Sequence, residues 1–203
     1  ALPRNPMPST IDICNLALTK LGAARITSLL DETKQAKALN AIFDMERDAL
    51  LSEHPWTFAI KRAEIPASST APAFGWLRAY PLPADYLKLV QVGDVWTFYD
   101  AGDLGGLFDV EAGAVLSDEV SPLQIRYVYR VTNAGLFSST FGVALAARLR
   151  ASVAEELTQN LSKKTDADED YKSAIHQAKR ANDIERPPQR VPDLSWVRAL
   201  TED

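Results

Sequence analysis

Three carboxylates, Glu46, Asp85 and Asp118, are the side chains of this 203-residue chain best suited by type to acid–base chemistry. A pair of such groups flanking a glycosidic bond would cleave it, one protonating the leaving oxygen while the other activates water or attacks the sugar. No spacing in the sequence brings two of them together. The two histidines, His54 and His176, have no companion motif. His54 precedes Pro55 at the end of a predicted helix, where a cationic ring is favoured by the carbonyl terminus, and His176 falls on a polar helix face. The chain has no Gly-x-Ser-x-Gly elbow, no Gly-x4-Gly-Lys-[Ser/Thr] phosphate loop, no Cys-x2-Cys pair and no His-Glu-x2-His helix, so the usual hydrolase, nucleotide and zinc signatures are missing.

Metal and phosphate chemistry meet similar obstacles. Asp166, Asp168 and Asp170 imitate the start of a calcium loop, but its sixth position is Tyr171 and its twelfth Gln177, where the loop needs Gly and Glu. Negative charge at a helix start explains these aspartates better. Gly102, Gly105 and Gly106 form a flexible turn with no lysine to hold a phosphate. Trp96, Phe98 and Tyr99 alternate as a strand would, with no basic residue between them to suit base stacking. Arg148, Arg150, Lys163 and Lys164 are candidate phosphate contacts, offset by Glu155, Glu156 and the acidic run at 166–170. The formal net charge is -5, the wrong sign for a surface that grips nucleic acid. No catalytic residue, cofactor or metal is assigned.

With 46% hydrophobic and 24% charged residues, the chain has enough apolar material for a sizeable core. Cys14 is the sole cysteine and falls among Ile11, Ile13 and Leu18 in a predicted helix, which suits a buried thiol and a reducing compartment. The first eight residues carry three prolines and no apolar run, and no stretch of about 18 apolar residues follows. An extended arm is expected at 1–8, with neither a signal peptide nor a membrane span.

The element that organises the rest is a predicted amphipathic helix over 31–56. Asp31 is its expected N-cap, and Pro55 forbids continuation. Ala36, Leu39, Phe43 and Leu50 fall on one stripe with Ile42 on its flank, and Lys34, Lys37, Asp44 and Asp48 point away. Glu46 interrupts the stripe and Arg47 lies at its edge, so a partner charge from another segment is expected. Before it, Ser9 and Asp12 form a capping box for a first helix carrying Ile13, Leu16, Ala17 and Leu21, which Gly22 ends. A brief linker at 23–30 predicts that these two helices fold back as a hairpin.

From 56 to 131 the apolar period shifts towards two, and Pro, Gly and Ser cluster around 66–75 and 93–113. Strands are predicted at 57–65, 86–92, 95–99, 114–117 and 124–131. In the last, Ile125, Tyr127, Tyr129 and Val131 alternate with Gln124, Arg126 and Arg130, as in an antiparallel strand with one buried face. A third helix is predicted from Ser138 through Phe141, Leu145, Leu149, Val153 and Leu157 to Leu161. Alanines at 144, 146, 147, 151 and 154 spread around it, so it is a bundle centre or a subunit interface, with Arg47, Arg148, Leu149 and Val153 as the residues of that contact. Thr165 or Asp166 is expected to cap a fourth helix with a stripe of Tyr171, Ala174, Ile175, Ala178 and Asn182, antiparallel to the third. Beyond 185, Pro187, Pro188 and Pro192 impose extended backbone. Arg186, Pro187, Pro188, Leu194, Trp196, Val197 and Leu200 then read as a docking tail. The fold class is therefore α+β: an antiparallel bundle of about four helices with a β-rich insertion and an extended C-terminal tail. Its segments are an arm at 1–8, a helical hairpin at 9–55, the insertion at 56–135, a second hairpin at 136–184 and the tail at 185–203.

Several ordered blocks carry a family likeness. These are Cys14-Asn15-Leu16-Ala17-Leu18 with Leu21-Gly22, then Arg47-Asp48-Ala49-Leu50-Leu51 with His54-Pro55-Trp56-Thr57-Phe58-Ala59, then Tyr80-Pro81-Leu82-Pro83-Ala84-Asp85-Tyr86. Ala144-Leu145-Ala146-Ala147-Arg148-Leu149 and the closing Ser195-Trp196 with Arg198 follow. In this order the blocks resemble the tail tubular protein A family, the head-to-tail adaptors (connectors) of short-tailed bacteriophages. The resemblance implies a structural virion protein without enzymatic turnover. It implies a homo-oligomeric ring, usually of 12 copies, seated in the virion neck between the portal protein and the tail nozzle protein and assembled in the host cytoplasm. DNA would pass through the lumen without specific binding, and no membrane would be involved. The alternative from another class is a phage-associated cell-wall hydrolase built on Glu46, Asp85 or Asp118.

Overall fold

A computed structural model of the chain describes residues 8–93, 95–97 and 107–185. The fold is α+β, with four α-helices and two small antiparallel sheets. Residues 1–7 of the predicted arm at 1–8, the turn glycines, Phe98, Tyr99 and the whole docking tail, from Arg186 to Leu200, lie outside the described residues.

Helix α1 (Thr10–Leu21) begins on the reciprocal capping box of Ser9 and Asp12 and ends where Gly22 turns left-handed at φ 72°. Ile13, Cys14, Ala17, Leu18 and Leu21 are buried, whereas Leu16 is exposed. Helix α2 (Lys34–Glu53) starts three residues later than the sequence pattern indicates, on Thr33, whose hydroxyl accepts from the Ala36 amide. Asp31 does not cap it. Its carboxylate instead accepts from the amides of Thr27 and Ser28 and closes the preceding turn. Both residue types satisfy free amides, and the turn claimed Asp31 first. At the other end α2 stops at Glu53, because His54 is already extended ahead of Pro55.

Helices α1 and α2 do not chiefly pack on each other, as a simple hairpin would. Each makes its more extensive contact with α3 (Ser139–Thr158), which Ser138 caps. Phe141, Gly142, Ala144, Leu145, Ala146, Ala147, Leu149, Val153 and Ala154 are all buried along α3, and small residues allow its neighbours to approach closely. Leu149 and Val153, at 0% and 2% exposure, belong to the chain's own core.

The third helix ends at Thr158, three residues short of Leu161. Gln159 adopts a left-handed conformation at φ 51°, and the Asn160 side chain caps α4 (Leu161–Ile184) by accepting from the Lys163 amide. Thr165 and Asp166 lie inside α4, with the Thr165 hydroxyl bonded back to the Leu161 carbonyl. The two helices run antiparallel, joined by pairs whose numbers converge on the turn: Arg148 with Tyr171, Arg150 with Asp170, and Glu155 with Lys164.

After α2 a 3-10 turn (Thr57–Ala59) leads into β1 (Ile60–Ile65). The strands β3 (Tyr86–Val92), β4 (Val95–Trp96), β6 (Ala114–Ser117) and β7 (Leu123–Tyr129) meet their predicted positions within a few residues, while β2 (Arg78–Pro81) and β5 (Asp109–Glu111) were not anticipated. One sheet has the order β1-β7-β3-β4 and the other β2-β6-β5. Strand β7 is central, antiparallel to both β1 and β3. Its Leu123, Ile125 and Tyr127 face a second core shared with Tyr80, Leu89, Val92 and Val115. Val128 and Val90 point the other way, into the helical core, so both faces of the strand are used. Val131, just past the strand, also joins the helical core.

Truncating Leu149 removes a fully buried side chain and leaves a cavity, so Leu149→Ala is expected to destabilise the chain by about 2–5 kcal/mol in urea titration. Val143→Ala on the exposed side of the same helix should change stability by no more than about 0.5 kcal/mol. Equal effects would contradict this placement of α3.

Candidate functional site

The densest polar arrangement lies where α2, α3 and α4 meet. Arg148, half-buried on α3, donates from Nε to Glu46 and from Nη1 to Glu53, both on α2, and from Nη1 to the Tyr171 hydroxyl on α4 at 2.8 Å. Ser152 also donates to Glu46, and Tyr171 donates to Glu53 at 3.1 Å. Glu46 therefore does reach a charge from another segment, Arg148 of α3. Burial works against the Arg148 cation, but Glu46, Tyr171 and Glu53 outweigh it and hold the guanidinium above its ordinary range. Desolvation chiefly, with Glu53 adding to it against Arg148, pushes the Tyr171 phenol up to about 12. A cleft of about 500 Å³ opens over this network, lined also by Ala151, Lys164 and Asp168.

Arg47, with only 5% exposure, pairs within its own helix with Asp44 at 2.7 Å and Asp48 at 2.8 Å. Asp48 accepts a second cation, Arg130 just beyond β7, at 2.6 Å, and so ties the helices to the sheet. The junction after α2 is held from α4. Asn182 accepts from the Thr57 amide at 2.8 Å, and His54 Nε2 lies 2.9 Å from Asp183 Oδ1. His54 thus contacts α4, and its ring packs edge-on against Trp56. Trp56 is fully buried, donates its indole N–H to the Leu50 carbonyl at 2.9 Å and meets Phe141 edge to face. His176 is exposed on α4.

The three acid–base candidates sit in three separate networks. Asp85 is paired with Lys61 and accepts from the Tyr127 hydroxyl at 3.0 Å. Lys61 first, then Tyr127, hold its carboxyl below the usual range, while burial pushes Tyr127 up to about 12. Asp118 accepts from the Leu77 amide at 2.8 Å at the end of the second sheet. The structure does not bring Glu46, Asp85 and Asp118 together. The candidate phosphate contacts are likewise committed inside the chain: Arg148 as above, Arg150 to Asp170, Lys164 to Glu155, and Lys163 to the Leu21 carbonyl. Asp170 is an ion-pair partner, and among the described residues no group of three or more His, Cys, Asp or Glu could hold a metal. No helix among them is long and apolar enough to cross a membrane.

Two polar clamps escaped the sequence reading. Asn15 is buried and bonds both the N–H and the carbonyl of Ile26, at 2.8 and 2.9 Å, pinning the linker after α1. Asn182 does the same work at the far end of α4. The available signal was an amide placed on a stripe that should be apolar. Compared with known proteins, the chain matches no family model and no curated protein.

Arg148→Ala would leave Glu46 without its cation and Glu53 with only Lys179 at 3.4 Å, and about 2 kcal/mol of stability should be lost in urea titration, with Arg148→Lys recovering only part because it offers one point charge. A loss under about 0.5 kcal/mol would show the network to be ornamental. The depressed folded-state ionisation of Asp85 stabilises the fold above the ordinary carboxylate range, and that contribution disappears as pH falls through the lowered value. Asp85→Asn should therefore flatten the acid limb of the stability profile; an unchanged limb would refute the assignment.

Proposed function

We propose that the chain is a structural virion protein, a head-to-tail adaptor that forms a ring between the portal protein and the tail nozzle of a short-tailed bacteriophage. The observation that carries the reading is the ordered set of motifs resembling the tail tubular protein A family, above all the block from Arg47 to Ala59. The side chains of that block are spent on architecture. Arg47 holds Asp48 within α2, Asp48 ties the helix to the sheet through Arg130, and Trp56 and Thr57 tie the end of α2 to α3 and α4. A block that only joins elements suits a protein whose work is to hold a shape.

In this reading the four helices form an antiparallel bundle in the ring wall, the β-rich part is an insertion towards the tail, and the segment beyond 185 extends to the portal. The residues of portal contact are Arg186, Pro187, Pro188, Leu194, Trp196, Val197 and Leu200. A tail with three prolines cannot pack on itself, whereas burying Trp196 and its apolar neighbours would contribute roughly 1.5–3 kcal/mol for each large side chain. About 12 copies would enclose the lumen, each using two different faces. DNA would pass without specific binding, since the candidate cations are paired within the chain. Assembly would take place in the host cytoplasm, and the mature location is the virion neck.

The test is the native mass of the full chain alone and after mixing with the portal ring of the same phage. A stoichiometric multi-copy complex that is lost on deleting 186–203 is the expected result. A chain that ignores the portal overturns the adaptor reading.

A further inference from the structure

The last turn of α4 is fastened to the end of α2 by one side-chain amide and one imidazole. Asn182, only 5% exposed, accepts from the Thr57 backbone N–H at 2.8 Å through Oδ1. That bond fixes which end of the amide is which, since the reverse orientation would set two donors against each other. Its Nδ2 is therefore the atom 3.0 Å from His54 Nε2, and an amide nitrogen can only donate. The same Nε2 lies 2.9 Å from Asp183 Oδ1, and a carboxylate oxygen can only accept.

One ring nitrogen cannot serve both neighbours. An unprotonated Nε2 presents a lone pair, which takes the Asn182 hydrogen bond and leaves Asp183 facing a second acceptor. A protonated Nε2 presents a hydrogen, which suits Asp183 and turns a donor towards Asn182. A single proton therefore decides which neighbour is satisfied, and an imidazole ordinarily gains that charge at about pH 6.5. The two neighbours respond differently. The Asp183 side chain is 55% exposed and can turn to water when Nε2 carries no proton. Asn182 is buried, where an N–H without an acceptor is costly. Because the amide is planar and rigid, Nδ2 cannot leave the ring without moving Oδ1 off the Thr57 N–H. The other charges at this junction are engaged or at the surface. Glu53, next to His54 on α2, is paired with Arg148 and Lys179, and Glu185 accepts from the Thr57 hydroxyl at 3.4 Å. Arg180 is exposed three residues before Asp183, and the Trp56 ring, edge-on at 5.0 Å, carries no charge.

We propose that His54 is a proton-operated clasp on the last turn of α4. Neutral, it carries its proton on Nδ1 and holds Asn182 through Nε2. Protonated, it transfers its hold to Asp183, and Asn182 releases the Thr57 N–H. A proton gained at His54 is thereby felt in the backbone where α2 passes into β1. The exchange is a property of the single chain and needs no partner.

The experiment is nuclear magnetic resonance of the full chain from about pH 8 down to about pH 5, which brackets the ordinary imidazole range. It follows the ring nitrogens of His54, the Asn182 side-chain NH2 and the Thr57 backbone amide. At the upper end Nε2 should show the shift of an unprotonated nitrogen and Nδ1 that of a protonated one. On acidification the Asn182 and Thr57 signals should move together with the His54 ring and share its midpoint. His54→Gln supplies an acceptor that does not titrate and should leave both signals flat with pH. Asp183→Asn removes the carboxylate that stabilises the imidazolium and should move the common midpoint to lower pH. The parent chain alone decides the matter even if a variant fails to fold. A proton on Nε2 at the upper end, or Asn182 and Thr57 signals that ignore the titration of His54, overturns the clasp.

Discussion

Burial of α3 on nearly every side is the constraint to which the other elements answer. From Phe141 to Ala154 the helix offers water little beyond Val143, Arg148, Ala151 and Ser152. Such a helix is stable only when several partners cover it, and α1, α2 and α4 do so. Its alanines let them approach closely, but they contribute little apolar area each. The larger anchors come from the neighbours: Leu18 from α1, Leu39 and Leu50 from α2, and Trp56 from the junction. The two arginines on α3 sharpen the constraint. Arg148 must reach Glu46, Glu53 and Tyr171, and Arg150, with 9% exposure, must reach Asp170. A cation in this position is tolerable only if its carboxylates arrive in register, so the positions of α2 and α4 along α3 are fixed by charge as well as by shape.

The sheet is attached at the edge of this helical body instead of lying beneath it. Val90 and Val128 are the points where the four-stranded sheet enters the helical core, and Asp48 with Arg130 reinforces the join. Past that contact the same sheet face turns polar, while its other face closes against the smaller sheet around Tyr80 and Tyr127. A strand that serves two cores on opposite faces must be apolar at successive positions where it crosses between them. Tyr127 and Val128 are buried side by side for this reason.

That double duty also marks the limit of what the sequence discloses. Alternation along β7 was legible over Ile125 and Tyr127, yet Val128 broke the period and its burial was invisible. Helix ends written in a single residue could be read: Ser9 with Asp12, Gly22 and Ser138 fall where the chain turns. Ends with two competent capping residues could not, because Asp31 and Thr33, or Asn160 and Thr165, differ in the turn each one joins and not in chemistry. Strand β5 is three exposed residues with no apolar face, and β2 ends in Pro81, which cannot donate to a ladder, so neither carries a strand pattern of its own. Of the polar groups, Glu46 announced a partner by interrupting a stripe, whereas which cation it meets depends on the α3–α4 register that no local pattern encodes. The tail residues lie outside the described structure, so their reading stands on sequence alone.

Charge placement joins these features to the proposed role. A channel for DNA needs a wall whose cations do not capture phosphate, because each phosphate contact releases counterions and slows passage. Net negative charge alone does not secure this, since a few free arginines in a row would suffice to bind. Here the basic residues of α3 and early α4 are each turned to a carboxylate or carbonyl of the same chain. The same pairings that hold α3 in place therefore also quiet its surface. Phosphate could compete for Arg148 only by displacing Glu46 and Glu53 together, and loosening α2 from α3 as it did so.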